Sequence, residues 1–209
     1  MQRFPFGGMC DILKQTNCIL TRYIMILYIN SCVRNDSRTH KIAKAVLRKL
    51  GGEYTEIYLP DKNLQPLSSE MLEKRMKLTE QGDYSDAMFN YAKQFAAADT
   101  IVISAPFWDL SFPAILKIYI ENIYVTGIVS EYAPDGSPHG LCKAKELIYI
   151  TTAGGPYVSD YSFGYIKELA EKYMGIPKTK LIKAEMLDVE GFDAEKIVQD
   201  AIKSINEDF

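Results

Sequence analysis

No apolar run in this 209-residue chain approaches the roughly 18 residues that a bilayer span needs, so the sequence offers nothing to a membrane. Excess positive charge is also missing. Lys and Arg number 24 against 27 Asp and Glu, a formal charge of −3, and without a basic footprint nucleic-acid binding has no support. Cysteine is scarce. Cys10, Cys18, Cys32 and Cys142 show neither CxxC spacing nor the density of a disulfide scaffold, so reduced thiols in the cytoplasm are the simplest reading and no metal centre is expected. Gly-x-Ser-x-Gly is absent, which argues against a serine hydrolase of the nucleophile-elbow type. Internal repeats and low-complexity tracts are absent as well.

What is present is ordinary for a globular protein: 47% hydrophobic and 24% charged residues, in a length that suits a single domain with a sizeable core. Residues 1–22 stand apart. They contain Pro5, Gly7 and Gly8, hold no sustained period of 2 or 3.6, and match a secretory signal poorly. They read as a poorly ordered N-terminal extension, with an anchor as the open alternative, and the domain is expected over 23–209.

From there strand and helix signals alternate. The unbroken apolar run Ile24–Ile29 enters Asn30-Ser31 and a hydroxyl-rich turn. Ile42, Ala43, Val46, Leu47 and Leu50 then form a helical face that Gly51-Gly52 stops. Tyr54–Leu59 is a second, less apolar strand nearer an edge. A short helical piece around Met71–Leu78 precedes a helix expected over Tyr84–Ala97. Thr100–Ala105 is a central strand, Pro113–Tyr124 a helix with proline in its first turn, and Pro134-Asp135-Gly136 a turn in a long loop. Leu147–Thr151 is the fourth strand. Tyr161–Met174 is a helix ended by Gly175 and Pro177, Lys180–Leu187 the fifth strand, and Ala194–Ile205 the last helix. Five strands alternating with helices imply an α/β fold: a doubly wound, five-stranded parallel sheet with helices on both faces.

Ligands of such sheets bind beyond the carboxyl ends of the strands. After strand one stand Ser31, Ser37, Arg38 and Thr39, hydroxyls and a guanidinium at a helix N-terminus, where a phosphate is favoured. Helix capping alone would also account for Ser37 or Thr39. After strand three, Phe107, Trp108 and Phe112 crowd a surface loop, which suggests a flat apolar ligand or, alternatively, packing under the next helix. After strand four, Thr151-Thr152-Ala153-Gly154-Gly155 can bring backbone amides close to a ligand, as a plain turn also could.

At these residues the chain resembles the FMN-dependent NAD(P)H:quinone reductases and azoreductases of flavodoxin-like fold, from about Met25 to the C-terminal helix. Pro106-Phe107-Trp108-Asp109-Leu110-Ser111-Phe112-Pro113-Ala114-Ile115-Leu116-Lys117 is similar to the family's Pro-Met-Tyr-Asn-Phe…Pro…Leu-Lys segment. Thr151–Gly155 resembles its Thr-Ser/Ala-Arg-Gly-Gly loop. The resemblance implies FMN, with Ser31, Ser37, Arg38 and Thr39 on its phosphate. It places Pro106, Phe107, Trp108, Asp109 and Leu110 along the flavin, and Thr152, Ala153, Gly154 and Gly155 at its polar edge. Tyr157, Phe163 and His139 are the candidates for substrate contact; His40, in the first helical turn, is read as structural. Asp109 stands where Asn is usual, Ala153 where Arg is frequent, and Val129-Ser130 replace a Thr-Phe pair. These departures bear on substrate preference more than on cofactor binding.

The implied activity is ping-pong transfer of hydride from NADH or NADPH through the flavin to a quinone or azo compound. The flavin would carry the chemistry, with no catalytic side chain required. A homodimer with the site between its subunits is implied too. A flavodoxin-type electron carrier would share fold and cofactor but lack a long aromatic loop. A phospho-receiver would end strand one in acidic metal ligands, and Asn30-Ser31 stand there instead.

Overall fold

Parallel pairing accounts for the unbroken apolar runs, because a strand covered by helices on both faces has no polar side. In the computed structural model, which describes residues 24–158 and 161–208, β1 (Ile26–Asn30) is buried along its whole length. It pairs with the edge strand β2 (Tyr54–Tyr58) and with β3 (Thr100–Ser104), which pairs with β6 (Glu146–Thr152), which in turn pairs with β7 (Thr179–Ala184). All four pairings are parallel, and the strand order is β2-β1-β3-β6-β7. This is the flavodoxin-like order, whose switch point lies between β1 and β3. The expected extension at 1–22 lies outside the described residues.

Two apolar layers cover the sheet. Tyr28, Val102, Ile148 and Ile150 pack against Ile42 and Val46 of α1 (Arg38–Leu50) and Val198 of α6 (Ala194–Asp208). Leu27, Ile101, Ile103 and Tyr149 face the other way. They meet Phe95 of α3 (Asn90–Ala97), Leu116, Tyr119 and Ile120 of α4 (Ala114–Ile123) and Ile166 of α5 (Phe163–Glu168). The remaining helix, α2 (Ser69–Glu80), buries no residue and caps its start with Ser68. No described helix is long and apolar enough to cross a membrane.

Four expectations are corrected. The helix expected from Tyr84 begins at Asn90. The side chains of Asp83 and Asp86 take the amides of Ser85 and Met88, which bends the chain into turns and a short 3₁₀ segment first. The helix expected over Tyr161–Met174 becomes α5 plus a π-turn at Leu169–Tyr173, since Met174 N donates to Leu169 O, five residues back. The last strand ends at Ala184, not Leu187: Met186 takes a positive φ of 66° and the chain leaves the ladder. The long loop contains an antiparallel hairpin of β4 (Ser130–Tyr132) and β5 (Pro138–Gly140), closed at the expected Pro134-Asp135-Gly136 turn.

The hairpin docks on the end of the π-turn so closely that a Cβ on Gly140 would lie 2.0 Å from the backbone N of Gly175. Only backbone stands in the way, so no side chain can yield. Gly140→Ala is expected to destabilise the fold by about 3 kcal/mol through overpacking, read as a lowered urea midpoint. An unchanged midpoint would mean that the hairpin moves freely over the π-turn.

Candidate functional site

Site geometry starts at the end of β1, where Asn30, 3% exposed, uses every polar atom of its side chain. Its Oδ1 accepts the amide of Cys32 at 3.0 Å and the Ser104 hydroxyl at 3.2 Å. Its Nδ2 donates to Glu56 Oε1 at 2.9 Å and lies 3.1 Å from His40 Nδ1. An amide donor aimed at Nδ1 makes that nitrogen the acceptor, so the network assigns His40 as neutral with its proton on Nε2. The Tyr28 hydroxyl lies 2.8 Å from both His40 Nδ1 and Ser104 Oγ, and its one proton serves one of these two acceptors. Lys44 reaches Glu56 from α1 at 3.4 Å. Burial, followed by the nearby Lys44 charge, lowers the His40 pKa below its ordinary 6.5, with Glu56 opposing. Burial raises the Cys32 thiol.

The network sets the path of the β1–α1 loop. Ser37 caps α1, its Oγ accepting the amide of His40 at 3.3 Å. Helix geometry leaves the remaining first-turn amides without intrahelical acceptors. Thr39 is tied across to β6, its hydroxyl 2.7 Å from that of Thr152. The result is an anion-attracting helix end anchored to two strands.

Beyond β3, Phe107 N donates to Thr152 O, and Trp108 and Ser111 exchange two backbone hydrogen bonds. Asp109 and Leu110 between them have φ of 49° and 65°, the sign of a I′ hairpin turn usually filled by Asn or Gly. Holding a leucine there costs about 1–2 kcal/mol. The tight turn leaves Trp108 and Leu110 41% and 47% exposed. Phe107 packs on Tyr157, ring centroids 4.6 Å apart, and the Tyr157 hydroxyl accepts the amide of Phe163 at the start of α5.

After β6 the chain is clasped by the segment that follows β7. Met186 N donates to Gly155 O, Leu187 N to Ala153 O and Asp188 N to Gly154 O. Carbonyls are thereby consumed, whereas the amides of Gly154 and Gly155 have no protein acceptor among the described residues. Asp188 also takes Arg38 Nη1 on Oδ1 at 2.9 Å.

These loops enclose a crevice of about 310 Å³ at the carboxyl ends of β1, β3 and β6. Of the residues expected to bind a cofactor, Ser37, Arg38, Thr39, Pro106, Phe107, Trp108, Thr152, Ala153 and Gly154 line it. Ser31 does not: it is wholly buried and its hydroxyl donates to Ser104 O at 2.8 Å. Asp109 and Leu110, exposed on the turn, and Gly155 do not line it either. Among the substrate candidates, Tyr157 backs Phe107, Phe163 packs toward Tyr149, and His139 sits opposite Glu131 on the hairpin. None of the three lines the crevice. Val33, Arg34, Asp36, Leu187 and Asp188 do line it and were not expected. For the last two the sequence hid the signal, because Met186-Leu187 reads as a continuation of the strand.

A sequence model of the flavodoxin-like fold family matches residues 25–209. An FMN-dependent NADH:quinone oxidoreductase 2 from Clostridium acetobutylicum is 36% identical over 197 residues, 87% of this chain and 96% of its own. An azoreductase from Bacillus anthracis superposes with a TM-score of 0.73 at 20% identity, covering 88% of this chain and 97% of that one. A second azoreductase from that species, FMN-dependent, NADH-linked and solved with FMN, gives 0.72 at 24% identity with the same coverage. At these identities the structural likeness speaks for the fold.

The neutral His40 has a consequence for stability. The unfolded histidine takes a proton near pH 6.5 while the folded one resists it, so its contribution is present above pH 6.5 and is lost as pH falls below that value. Unfolding free energies from urea titration at about pH 7.5 and about pH 5.5 should differ less in His40→Gln than in the parent, by under about 1 kcal/mol after solvent screening. Equal pH dependence in both would place the proton-sensitive group elsewhere.

Proposed function

The chain belongs to the flavodoxin-like family that includes the FMN-dependent NADH:quinone oxidoreductases, and from that premise we propose that it oxidises NADH and reduces quinones or azo compounds, with FMN as its cofactor. One observation carries the proposal. The N-terminus of α1, the aromatic turn at Trp108 and Gly154, whose amide has no protein acceptor among the described residues, all border one crevice.

The groups present fit FMN. Ser37, Thr39 and the free first-turn amides of α1 suit a phosphate dianion, and Arg38 beside them adds a charge-assisted donor. Phe107 and Trp108 offer apolar faces to a flat ring system. The amides of Gly154 and Gly155 would donate to the polar edge of that ring and favour negative charge there, as preorganised donors do in an oxyanion hole. Bound FMN would supply the hydride chemistry of the two half-reactions.

The chain's own residues then have three tasks. The Thr39–Thr152 contact keeps the phosphate end and the ring end of the crevice at a fixed separation. Tyr157, held by the amide of Phe163 and by its own amide on Glu185, braces Phe107 from behind. Trp108, partly exposed, borders the opening through which solvent can protonate a hydroquinone or hydrazine product, so no side chain need serve as general acid. One crevice serves both reactants, so NADH and the acceptor occupy it in turn. A homodimer is part of the reading, supported by the apolar Trp108, Leu110, Val158 and Tyr161 left exposed on these loops. So is a cytoplasmic setting, supported by the free thiols of Cys32 and Cys142.

Replacing Ser37 and Thr39 together by alanine should weaken FMN by about 1.5–3 kcal/mol for each charge-assisted bond lost. Titration of FMN-free protein reads this, and unchanged affinity would move the phosphate elsewhere. With FMN present, initial rates of NADH oxidation at several quinone concentrations should give parallel double-reciprocal lines. Intersecting lines would show that both reactants bind together and contradict the shared crevice. FMN binding without quinone turnover would favour an electron carrier.

A further inference from the structure

Asp188 belongs to the segment after β7, a strand end that contributes nothing recognisable to the site from sequence, yet it touches two of the crevice's other walls. Its amide donates to Gly154 O at 2.8 Å, and its carboxylate accepts Arg38 Nη1 at 2.9 Å. The fit against Gly154 is tight: a Cβ on that glycine would lie 2.5 Å from Asp188 Oδ2, so the absence of a side chain there lets the carboxylate reach across.

The guanidinium is held by one nitrogen only. Nη1 carries two N–H groups, and both are used, one on Asp188 Oδ1 and one on Leu187 O at 3.0 Å. Nε and both N–H groups of Nη2 have no protein acceptor among the described residues. An arginine fork of this kind matches two oxygens of one phosphate, and losing less side-chain freedom on binding makes a pre-oriented fork the stronger partner. Arg38 is also the first residue of α1, so the unused donors lie on the same crevice as the helix end.

We propose that Asp188 is a positioning residue for phosphate recognition: by fixing Nη1 of Arg38 on the β7–α6 segment, it leaves the Nε–Nη2 side of the guanidinium for the phosphate of FMN. The inference rests on the proposed cofactor. The Arg38–Asp188 pair is partly exposed, 39% and 65% at the two side chains, so as a salt bridge it adds little to folding stability. Its effect lies in orientation. The carboxylate also brings negative charge near a dianion, and the net result is measurable in its sign.

The test compares FMN with riboflavin, which has the same ring and ribityl chain but no phosphate, by equilibrium titration of FMN-free protein. Asp188→Ala should weaken FMN by roughly three- to tenfold while leaving riboflavin within about twofold, the size expected for one partly exposed charge-assisted contact. Asp188→Asn, which keeps an acceptor for Nη1, should recover most of that loss. In an Arg38→Met background, Asp188→Ala should have no further effect, because nothing remains to be positioned. Equal weakening of both ligands would assign Asp188 to the loop's structure alone. Tighter FMN binding by Asp188→Ala would show a carboxylate that repels phosphate, and an undiminished loss in the Arg38→Met background would show an action independent of Arg38; each overturns the proposal. Failure of the unsubstituted chain to bind FMN would overturn the cofactor reading itself, and the role of Asp188 with it.

Discussion

The saturated amide of Asn30 is the contact on which the rest of the site depends. It ends β1, fixes the amide of Cys32 at the entry to the next loop, and is itself held by Ser104 from β3 and Glu56 from β2. Three adjacent strands are thereby locked in register at their carboxyl ends, where the order of the sheet opens a cleft. A buried polar cluster of this sort is stable only when every member is paired, and here the pairing also orients His40 and, through it, the first turn of α1. The anion-attracting helix end is thus a consequence of hydrogen bonding one layer below it.

Much of the fold was legible because the physics that forms it leaves a plain pattern. Central strands covered on both faces must be apolar throughout, and β1, β3 and β6 are. Gly51, Gly136 and Gly175 stop or turn the chain with positive φ, as expected of them. The exceptions are local. Three-residue strands such as β4 and β5 are too short to show a period. The aspartates before α3 were invisible as turn formers until their side chains were seen to take backbone amides. The β7 boundary was obscured by Met186-Leu187, apolar residues that belong to a loop clasping the segment after β6 rather than to the ladder.

The candidate site was legible in the same uneven way. Three loops announced themselves by hydroxyls, aromatics and paired glycines, and nine of the residues they suggested line one crevice. Ser31 failed to reach it for a reason no sequence pattern states: its hydroxyl is needed by the Ser104 carbonyl. Asp109 and Leu110 carry the turn that displays Trp108, and the strain they bear is of the kind that clusters at binding loops. Asn30 and Asp188 are single polar residues without a motif. Their importance comes from what lies opposite them in space, which only the folded chain reveals.

The central claim, that this crevice holds FMN with its ring against the aromatic turn, is tested most directly by the fluorescence of Trp108. It is the only tryptophan in the chain, so the signal has one source. Titration of FMN-free protein with FMN should quench that fluorescence saturably, at one FMN per chain. Fluorescence that stays constant while equilibrium dialysis shows FMN bound would put the ring elsewhere and contradict the account.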